Sequence, residues 1–471
     1  MDNRRILFTA FISGGCAMLI EIAGGRAIAP YLGSTIFTWA AIIGLVLGAL
    51  SVGYYVGGRF ADRYADAKHL SYIFIAAAFC TLVIPFLIGL LGPPSIFLNL
   101  ALASLIVSLA FVPASLFYGM VSPYAIKLTS EPGKEGKSSG KVFAISTVGS
   151  ILGVLGTGFI LVPNMALSHI FILAALLMLG SAFLVSRKGI GIDILVFLIL
   201  ALPISAIGFH PPVSGDLIFS TSSEYFDLNI VNTSLHGKQS LILYLDRVPS
   251  SALAVDGSSS FHYINATRLG YELVDNPGRA LVIGVAGGTQ IGDLRNHFAE
   301  MYIDGVEIDA KSIEIGKAYF GLEVDEKTEI IIDDGRRYIK TTDWQYDLVM
   351  MDVFRGFSIP YHLSSVEFFR EMKEKMSSDG VLVINIILPI DEEPGLIDIF
   401  YNTLSAEFEN VILIPMDAES TDIQNVVVIA TDADTTSFED MHKKEIFLFE
   451  PRNGRIITDD INPADVFVSG R

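Results

Sequence analysis

The sequence has little cysteine. Only Cys16 and Cys80 occur among its 471 residues, and both lie in apolar runs, where a thiol usually packs as a small buried hydrophobic group. Two isolated thiols leave no disulfide framework and no cysteine-based zinc site, and they give no sign of thiol catalysis. We expect no metal ion in this protein.

Charge is scarce as well. Charged residues make up 18% of the chain, against about 25% in soluble domains, whereas 51% of the residues are hydrophobic. This balance excludes a disordered or wholly soluble protein. The net charge of −19 is unevenly divided, because residues 1–210 carry 12 Lys and Arg against 7 Asp and Glu, and the remainder carries 20 against 44. The acidic second half has no clusters of Lys and Arg, which argues against nucleic-acid binding.

Long apolar runs fill the first half. A helix needs about 20 mainly apolar residues to cross ~30 Å of hydrocarbon. Six runs reach that length, at residues 6–32, 36–57, 70–91, 96–126, 142–162 and 166–185. A seventh, at residues 190–209, contains Asp193 and Pro203, so it crosses, lies in the interface or re-enters. These runs predict a multi-pass transmembrane domain over residues 1–210.

Two charged residues, Glu21 and Arg26, interrupt the first run. A charged side chain in mid-membrane costs at least about 2.5 kcal/mol unless it is paired or hydrated. The two residues form either a structural ion pair or part of a polar pathway or substrate site inside the bundle. Lys and Arg occupy every second loop, which places the amino terminus in the cytoplasm. Glycines indicate close helix packing in lipid, at positions 44, 48, 53, 57 and 58.

The second half has the pattern of a nucleotide-binding α/β protein. Short alternating segments broken by Gly, Pro and Ser predict a small β-hairpin subdomain over residues 217–275. From residue 276 to 471, apolar strands alternate with helical segments, which predicts a parallel sheet with crossover helices. The expected strands are 280–285, 301–306, 328–332, 348–353 and 381–387, with a further pair at 411–414 and 426–430. The expected helices are 290–298, 311–319, 366–376 and 397–408.

The residues that follow these strands predict an adenosine pocket, because ligands of such sheets bind beyond the carboxyl ends of the strands. A glycine turn at residues 284–289 follows the first strand, and Glu307 follows the second, where a carboxylate can accept both ribose hydroxyl protons. Asp334 and Asp352 follow the third and fourth. A dinucleotide is disfavoured, because the turn lacks the usual third glycine.

Residues 280–296, 305–321, 332–339 and 346–367 resemble the spermidine synthase family of aminopropyltransferases, which have the class I methyltransferase-like (Rossmann-type) fold. The first half is similar to the membrane domain of fused bacterial and archaeal members, notably at Glu21, Arg26 and the loop at 57–63. The resemblance implies binding of S-adenosylmethionine or its decarboxylated form. It implies that Gly284, Gly287 and Gly288 hold the methionine side, Glu307 the ribose, Asp334 the adenine amine, and Asp352 the reacting amine.

The sequence also departs from that family. Soluble members have an Asp in the glycine turn, where this chain has Ala286, and a second Asp where it has Arg355. They carry a Gln where residues 247–250 stand, and a Tyr-His pair that is reversed here as His262-Tyr263. We hypothesise that Arg355 faces the carboxylate of intact S-adenosylmethionine. The alternative is that Arg355 points to solvent or pairs with a nearby acid.

Residues 354–362 follow Asp352 and are expected to form a lid. His362 serves there either as a catalytic base or as a backbone hydrogen-bonding residue, and Tyr225, His262 and Tyr361 are expected to line the acceptor side.

The leading hypothesis is a membrane-anchored aminopropyltransferase-like enzyme that releases methylthioadenosine. The alternatives are methyl transfer or acceptor-free cleavage of S-adenosylmethionine, and a transporter or sensor that only binds the nucleoside. The expected partners are the lipid bilayer, a small-molecule amine acceptor and a second copy of the chain. Because the co-substrate is made in the cytoplasm, we place the catalytic domain there and take the seventh run as re-entrant or interfacial.

Overall fold

The structure is a computed structural model. It describes residues 3–32, 36–91, 100–186, 215–246, 248–259, 261–353, 360–390, 395–417, 420, 423–443, 446–447, 449 and 454–460. The seventh apolar run, Arg247, Arg355 and most of the expected lid lie outside these residues. Contacts divide the chain into two compact units, residues 1–213 with 222–224, and residues 214–221 with 225–471.

The first unit is a helical bundle. Its helices are α1 (Asn3–Leu32), α2 (Ile36–Arg63), α3 (Ala67–Gly89), α4 (Leu100–Thr129), α5 (Glu135–Gly156), α6 (Val162–Asn164) and α7 (Leu167–Val185), with a π-helical turn at Thr157–Leu161 between α5 and α6. Six helical segments of the described chain are long and apolar enough to cross a membrane, and they match the six predicted runs. The fifth begins at Glu135, earlier than predicted, because its first two turns are polar and carry no hydropathy signal.

Glycines bring two pairs of helices into backbone contact. A Cβ added at Gly53 of α2 would overlap the carbonyl oxygen of Leu116 in α4, and one at Gly153 of α5 would overlap that of Gly15 in α1. Small residues allow such close approach in lipid, where apolar burial alone does not hold helices together. The prediction was wrong for Gly44 and Gly48 within the described part of the chain, where a Cβ at either position would meet no atom within 4 Å.

Replacing Gly53 with Leu is expected to destabilise the bundle by about 3 kcal/mol, because the added side chain forces α2 away from α4. Gly48→Leu, on the same helix, is the matched control, since both variants gain the same helix propensity. The measurement is thermal unfolding of the purified full chain in detergent. Equal stability of the two variants would contradict the tight contact.

The second unit begins with a four-stranded sheet. Its strands are β1 (Asp216–Ser222), β2 (Asp227–Leu235), β3 (Lys238–Leu245) and β4 (Val248–Ala254), in the order β1-β2-β3-β4. Leu235 pairs with Lys238, so β2 and β3 are joined by the two-residue turn His236-Gly237, with φ values of 51° and 81°. Positive φ at both positions is the geometry of a tight hairpin, which confirms the predicted hairpin pattern.

A seven-stranded sheet forms the body of this unit. Its strands are β5 (Arg279–Ile283), β6 (Tyr302–Glu307), β7 (Thr328–Ile332), β8 (Tyr346–Met351), β9 (Met376–Pro389), β10 (Asn410–Pro415) and β11 (Ile423–Thr431), in the order β10-β11-β9-β8-β5-β6-β7. Strands β5 to β9 are parallel, as predicted, but β11 is antiparallel to both β9 and β10. The sheet is therefore mixed, because the short connection between β10 and β11 permits only a hairpin.

Helices flank this sheet. They are α8 (Tyr263–Thr267), a 3₁₀ helix (Arg268–Leu273), α9 (Thr289–His297), α10 (Ala310–Tyr319), α11 (Gly335–Thr341), α12 (Val366–Lys373), α13 (Leu396–Ser405) and α14 (Thr436–Met441). Residues 263–273 were assigned to the β subdomain, but Tyr263 and Tyr271 pack in the core of the seven-stranded sheet. The strand order reverses between β8 and β6 around β5, and the carboxyl ends of these strands form the edge at which ligands of such sheets bind.

Candidate active site

The glycine turn after β5 is held closed by Glu307 at the end of β6. The amides of Val285 and Ala286 donate to Glu307 Oε2 at 3.0 and 2.8 Å, and the amide of Asp309 donates to Oε1 at 3.0 Å. Burial raises the pKa of the Glu307 carboxyl, and the three amides oppose that rise. Glu307 therefore sets the shape of the turn, and its predicted contact with a ribose remains a prediction.

The backbone of this turn is left-handed at three positions. Gly284 and Gly288 have φ of 86°, and Ala286 has φ of 48°. A Cβ at Gly284 would overlap the carbonyl oxygen of Asp352, so only glycine fits there. The amide of Gly287 donates to Ser251 Oγ of β4 at 2.9 Å, which ties the turn to the small sheet.

Asp334 and His362, which the sequence suggested for different tasks, contact each other. Asp334 caps α11 by accepting hydrogen bonds from the amides of Arg336 and Arg337, and its Oδ2 lies 2.8 Å from His362 Nε2. Burial alone would raise the pKa of the Asp334 carboxyl, but the Arg337 amide, the His362 ring and the Arg336 amide hold that pKa below its usual value. The geometry places the His362 ring on Asp334, and a role as a base remains a prediction.

Arg336 fixes the backbone of His362. Its guanidinium donates to both carboxylate oxygens of Glu371, to both of Asp459 and to the carbonyl of His362. All five N–H groups of the fork are thus used. The contact with Arg336 lowers the pKa of Asp459 to about 2. Sequence reasoning missed this cluster, because its members lie far apart along the chain.

Asp352, at the end of β8, is partly buried and held by two donors. The Tyr263 hydroxyl donates to Oδ2 at 2.7 Å, and Asn385 Nδ2 of β9 donates to Oδ1 at 3.1 Å. Asn425 Nδ2 of β11 donates in turn to Asn385 Oδ1 at 2.9 Å. Burial raises the pKa of the Asp352 carboxyl, while the Tyr263 and Asn385 hydrogen bonds moderate the rise.

A small cavity opens beside Asp352. Its polar lining consists of Tyr263, Thr267, Gln290, Asp352 and Asn385, and its apolar lining consists of Val282, Met350, Met351 and Val383. Gln290 Nε2 donates to the Tyr271 hydroxyl at 2.7 Å, which fixes that amide. The accessible surface of this cavity is mainly apolar, and Asp352 is the one carboxylate among the residues that line it.

The other predicted residues are placed differently. The His262 ring packs on His236 of the hairpin turn at 4.0 Å between centroids, while the adjacent Tyr263 contacts Asp352. The Tyr225 ring lies 6.4 Å from that of Phe226 and packs against the apolar cluster of the small sheet. The side chain of Tyr361 and all of Arg355 lie outside the described residues. Glu21 and Arg26 belong to the helical bundle, where Arg26 Nη1 donates to the carbonyl of Val162.

Asn385, Asn425 and Ser251 were missed from the sequence, and Tyr263 was named only as half of a reversed pair, without a role at the site. One signal was available: Asn385 is a polar residue within a strand of apolar residues, at a position that is 4% exposed. A buried side-chain amide needs a hydrogen-bond partner, and here the partners are Asp352 and Asn425.

Comparison with known proteins shows what this unit is similar to. Residues 266–396 match the family model of the spermine/spermidine synthase domain. A probable polyamine aminopropyl transferase of Bifidobacterium longum is 31% identical over 151 residues, which are 32% of this chain and 33% of that protein. Polyamine aminopropyltransferase 2 of Aquifex aeolicus is 24% identical over 397 residues, which are 79% of this chain and 77% of that protein. The solved structure of a probable spermidine synthase from Corynebacterium glutamicum aligns with 50% of this chain and 87% of its own, with 18% identity and a TM-score of 0.43.

The family model and the two relatives confirm the resemblance stated from the sequence for the second half of the chain. The chain spans only about a third of the length of the Bifidobacterium relative.

Proposed function

We propose that this chain, whose residues 266–396 carry a spermine/spermidine synthase domain, is a membrane-anchored transferase of the aminopropyltransferase type. Its co-substrate in this proposal is an adenosyl sulfonium, either S-adenosylmethionine or its decarboxylated form. The main support is the carboxylate of Asp352, which two donors orient at the sheet edge.

The neighbouring strand ends supply the proposed nucleoside site. The glycine turn brings bare backbone to the sheet edge, Glu307 offers a carboxylate to the ribose, and Asp334 accepts from the adenine amine. A carboxylate-rich site also favours a positively charged sulfonium.

The proposed reaction needs a base and an amine that is held in line with the C–S bond. A neutral amine attacks the propyl carbon next to sulfur, the new C–N bond forms as the C–S bond breaks, and the electron pair of the broken bond stays on sulfur in methylthioadenosine. The amine proton passes to Asp352, and burial raises the pKa of this carboxyl, which strengthens it as a base. Tyr263 and Asn385 hold the carboxylate in line, which reduces the orientational cost of the reaction.

The second candidate is use of intact S-adenosylmethionine, by methyl transfer or by cleavage without an acceptor. Ala286 favours the use of intact S-adenosylmethionine. Soluble members of the spermidine synthase family have an Asp at this position of the turn, and this chain has no carboxylate there. The earlier hypothesis that Arg355 binds the carboxylate of that substrate belongs to this candidate.

Product analysis distinguishes the candidates. The purified full chain is incubated with each co-substrate, with and without putrescine or spermidine, and the products are identified by mass spectrometry. We expect methylthioadenosine together with an aminopropylated amine. S-adenosylhomocysteine would indicate methyl transfer, methylthioadenosine without an adduct would indicate cleavage, and binding without turnover would indicate a nucleoside sensor.

We also propose that the catalytic unit lies in the cytoplasm, where its co-substrate is made. A reporter that is active only in the periplasm, fused after Gly215, is expected to be inactive. Activity of that fusion would place the unit on the other side.

A further inference from the structure

The helical bundle contains two buried hydroxyl groups that its own backbone does not use. Ser and Thr in helices usually donate to the carbonyl four residues earlier, and Ser71, Thr81, Thr129 and Ser181 do so here at 2.8 to 3.0 Å. Ser115 of α4 and Thr157 of the π-helical turn are each 1% exposed, yet their hydroxyls have no hydrogen-bond partner among the described residues.

A carboxylate oxygen shares this condition. Oε2 of Glu21 in α1 is inaccessible to solvent and likewise has no hydrogen-bond partner in the part of the chain that the structure describes. A buried carboxylate without compensation is costly in a bilayer, so such residues usually mark a functional site.

Helix register places Glu21 and Thr157 at the same level. Ser150 Oγ donates to the carbonyl of Gly14, and Arg26 Nη1 donates to that of Val162; both contacts join residues separated by 136 positions. The two segments therefore run parallel with a constant offset, and position 21 corresponds to position 157.

Register with α4 brings Ser115 to that level. The chain turns back between the end of α4 and the start of α5, so α4 runs antiparallel to α5 and therefore to α1. A Cβ at Gly24 would meet the Phe111 ring, which places these two residues at one level. Glu21 lies three residues before Gly24, and Ser115 lies four residues after Phe111. Three helical segments thus contribute a buried polar atom at one depth.

The π-helical turn supports a functional reading. Pro163 follows directly and has no amide hydrogen, so the regular hydrogen-bond ladder cannot continue through it. The amide of Val162 bonds to the carbonyl of Thr157, one residue farther back than in an α-helix. Single π-helical turns of this kind occur frequently at functional sites.

We propose that Glu21, Ser115 and Thr157 form an intramembrane binding site for a monovalent cation, either an alkali-metal ion or the ammonium group of a small amine. In either case the single positive charge of the cation is balanced by the Glu21 carboxylate. The hydroxyl oxygens of Ser115 and Thr157 contact the cation. A divalent ion does not fit, because it requires more carboxylates, and the described residues contain no group of three or more His, Cys, Asp or Glu that holds a metal. Arg26 lies five residues after Glu21 in α1, which separates the two residues by about 7.5 Å along the helix axis.

The test is equilibrium binding of radioactive sodium and of radioactive methylammonium to the purified full chain in detergent. We expect saturable binding of at least one of the two tracers at one site per chain, and the comparison between tracers identifies the cation. Glu21→Gln is expected to weaken binding at least tenfold, because it removes the charge with little change in shape. The double variant with Ser115→Ala and Thr157→Val is expected to weaken binding by a similar factor.

Ser181→Ala is the matched control, because that hydroxyl bonds to its own helix. It is expected to bind like the unmodified chain. Size-exclusion chromatography and circular dichroism establish that each variant is folded, and the double variant decides the matter if Glu21→Gln does not fold. Absence of saturable binding of both tracers, or unchanged affinity in the folded variants, overturns the proposal. The readout does not depend on transferase activity, so this proposal and the proposed function can fail separately.

Discussion

Asp352→Asn is expected to reduce turnover by about a thousandfold while nucleoside binding persists. The amide keeps the shape of the carboxylate and can still contact Tyr263 or Asn385, but it cannot accept the proton of the attacking amine. General-base catalysis contributes roughly 10²- to 10⁴-fold to such reactions. The measurements are steady-state kinetics and calorimetric titration with methylthioadenosine. Asp343→Asn, at an exposed position, is the control and is expected to be fully active.

The pH profile gives an independent test of the same role. Asp352 accepts a proton only when ionised, so the rate is expected to rise as pH increases through its pKa, which burial raises above the usual value for Asp. Tyr263→Phe removes a donor that stabilises the carboxylate, so this limb of the profile is expected to move to higher pH. An unchanged profile, or full activity of Asp352→Asn, would refute the assignment.

Glu307→Gln is expected to weaken nucleoside binding about a hundredfold and to lower the free energy of unfolding of the second unit by about 2 kcal/mol. Three backbone amides point at this carboxylate, and a Gln side chain directs its own N–H groups at one of them. One buried donor is then unpaired, which costs about 1–3 kcal/mol. The ribose contact loses a charge-assisted acceptor in addition.

The two effects of Glu307→Gln are measured separately. Denaturant unfolding reports the stability, and calorimetry with methylthioadenosine reports the affinity at a temperature where the variant is folded. Glu329→Gln, at an exposed position of β7, is expected to change neither. If stability falls while affinity is unchanged, Glu307 shapes the turn but does not contact the nucleoside.

The sequence located the strand ends well, because a parallel sheet brings the residues after successive strands to one edge. Gly284, Glu307, Asp334 and Asp352 could be read in this way from the alternation of apolar segments alone. The helix at 335–341 was missed, since it contains a glycine and no clear apolar stripe, although Asp334 caps it.

The partners of these residues could not be predicted. Tyr263 is 89 positions from Asp352, and the choice between it and His262 depends on how a short helix packs on the sheet. The Asn385–Asn425 contact requires β11 to lie antiparallel beside β9 with Val427 opposite Asn385. Spacing along a chain fixes neither strand neighbours nor register.

The left-handed backbone at Ala286 determines which residues can replace this alanine. Alanine at a φ of 48° carries strain of about 1–2 kcal/mol, whereas Asp and Asn visit this conformation more readily. The backbone at position 286 thus already has a conformation that Asp adopts. Soluble members of the spermidine synthase family carry Asp at this position of the turn. Under the proposed function, Ala286→Asp would therefore add a negative charge to the turn without a change in its backbone.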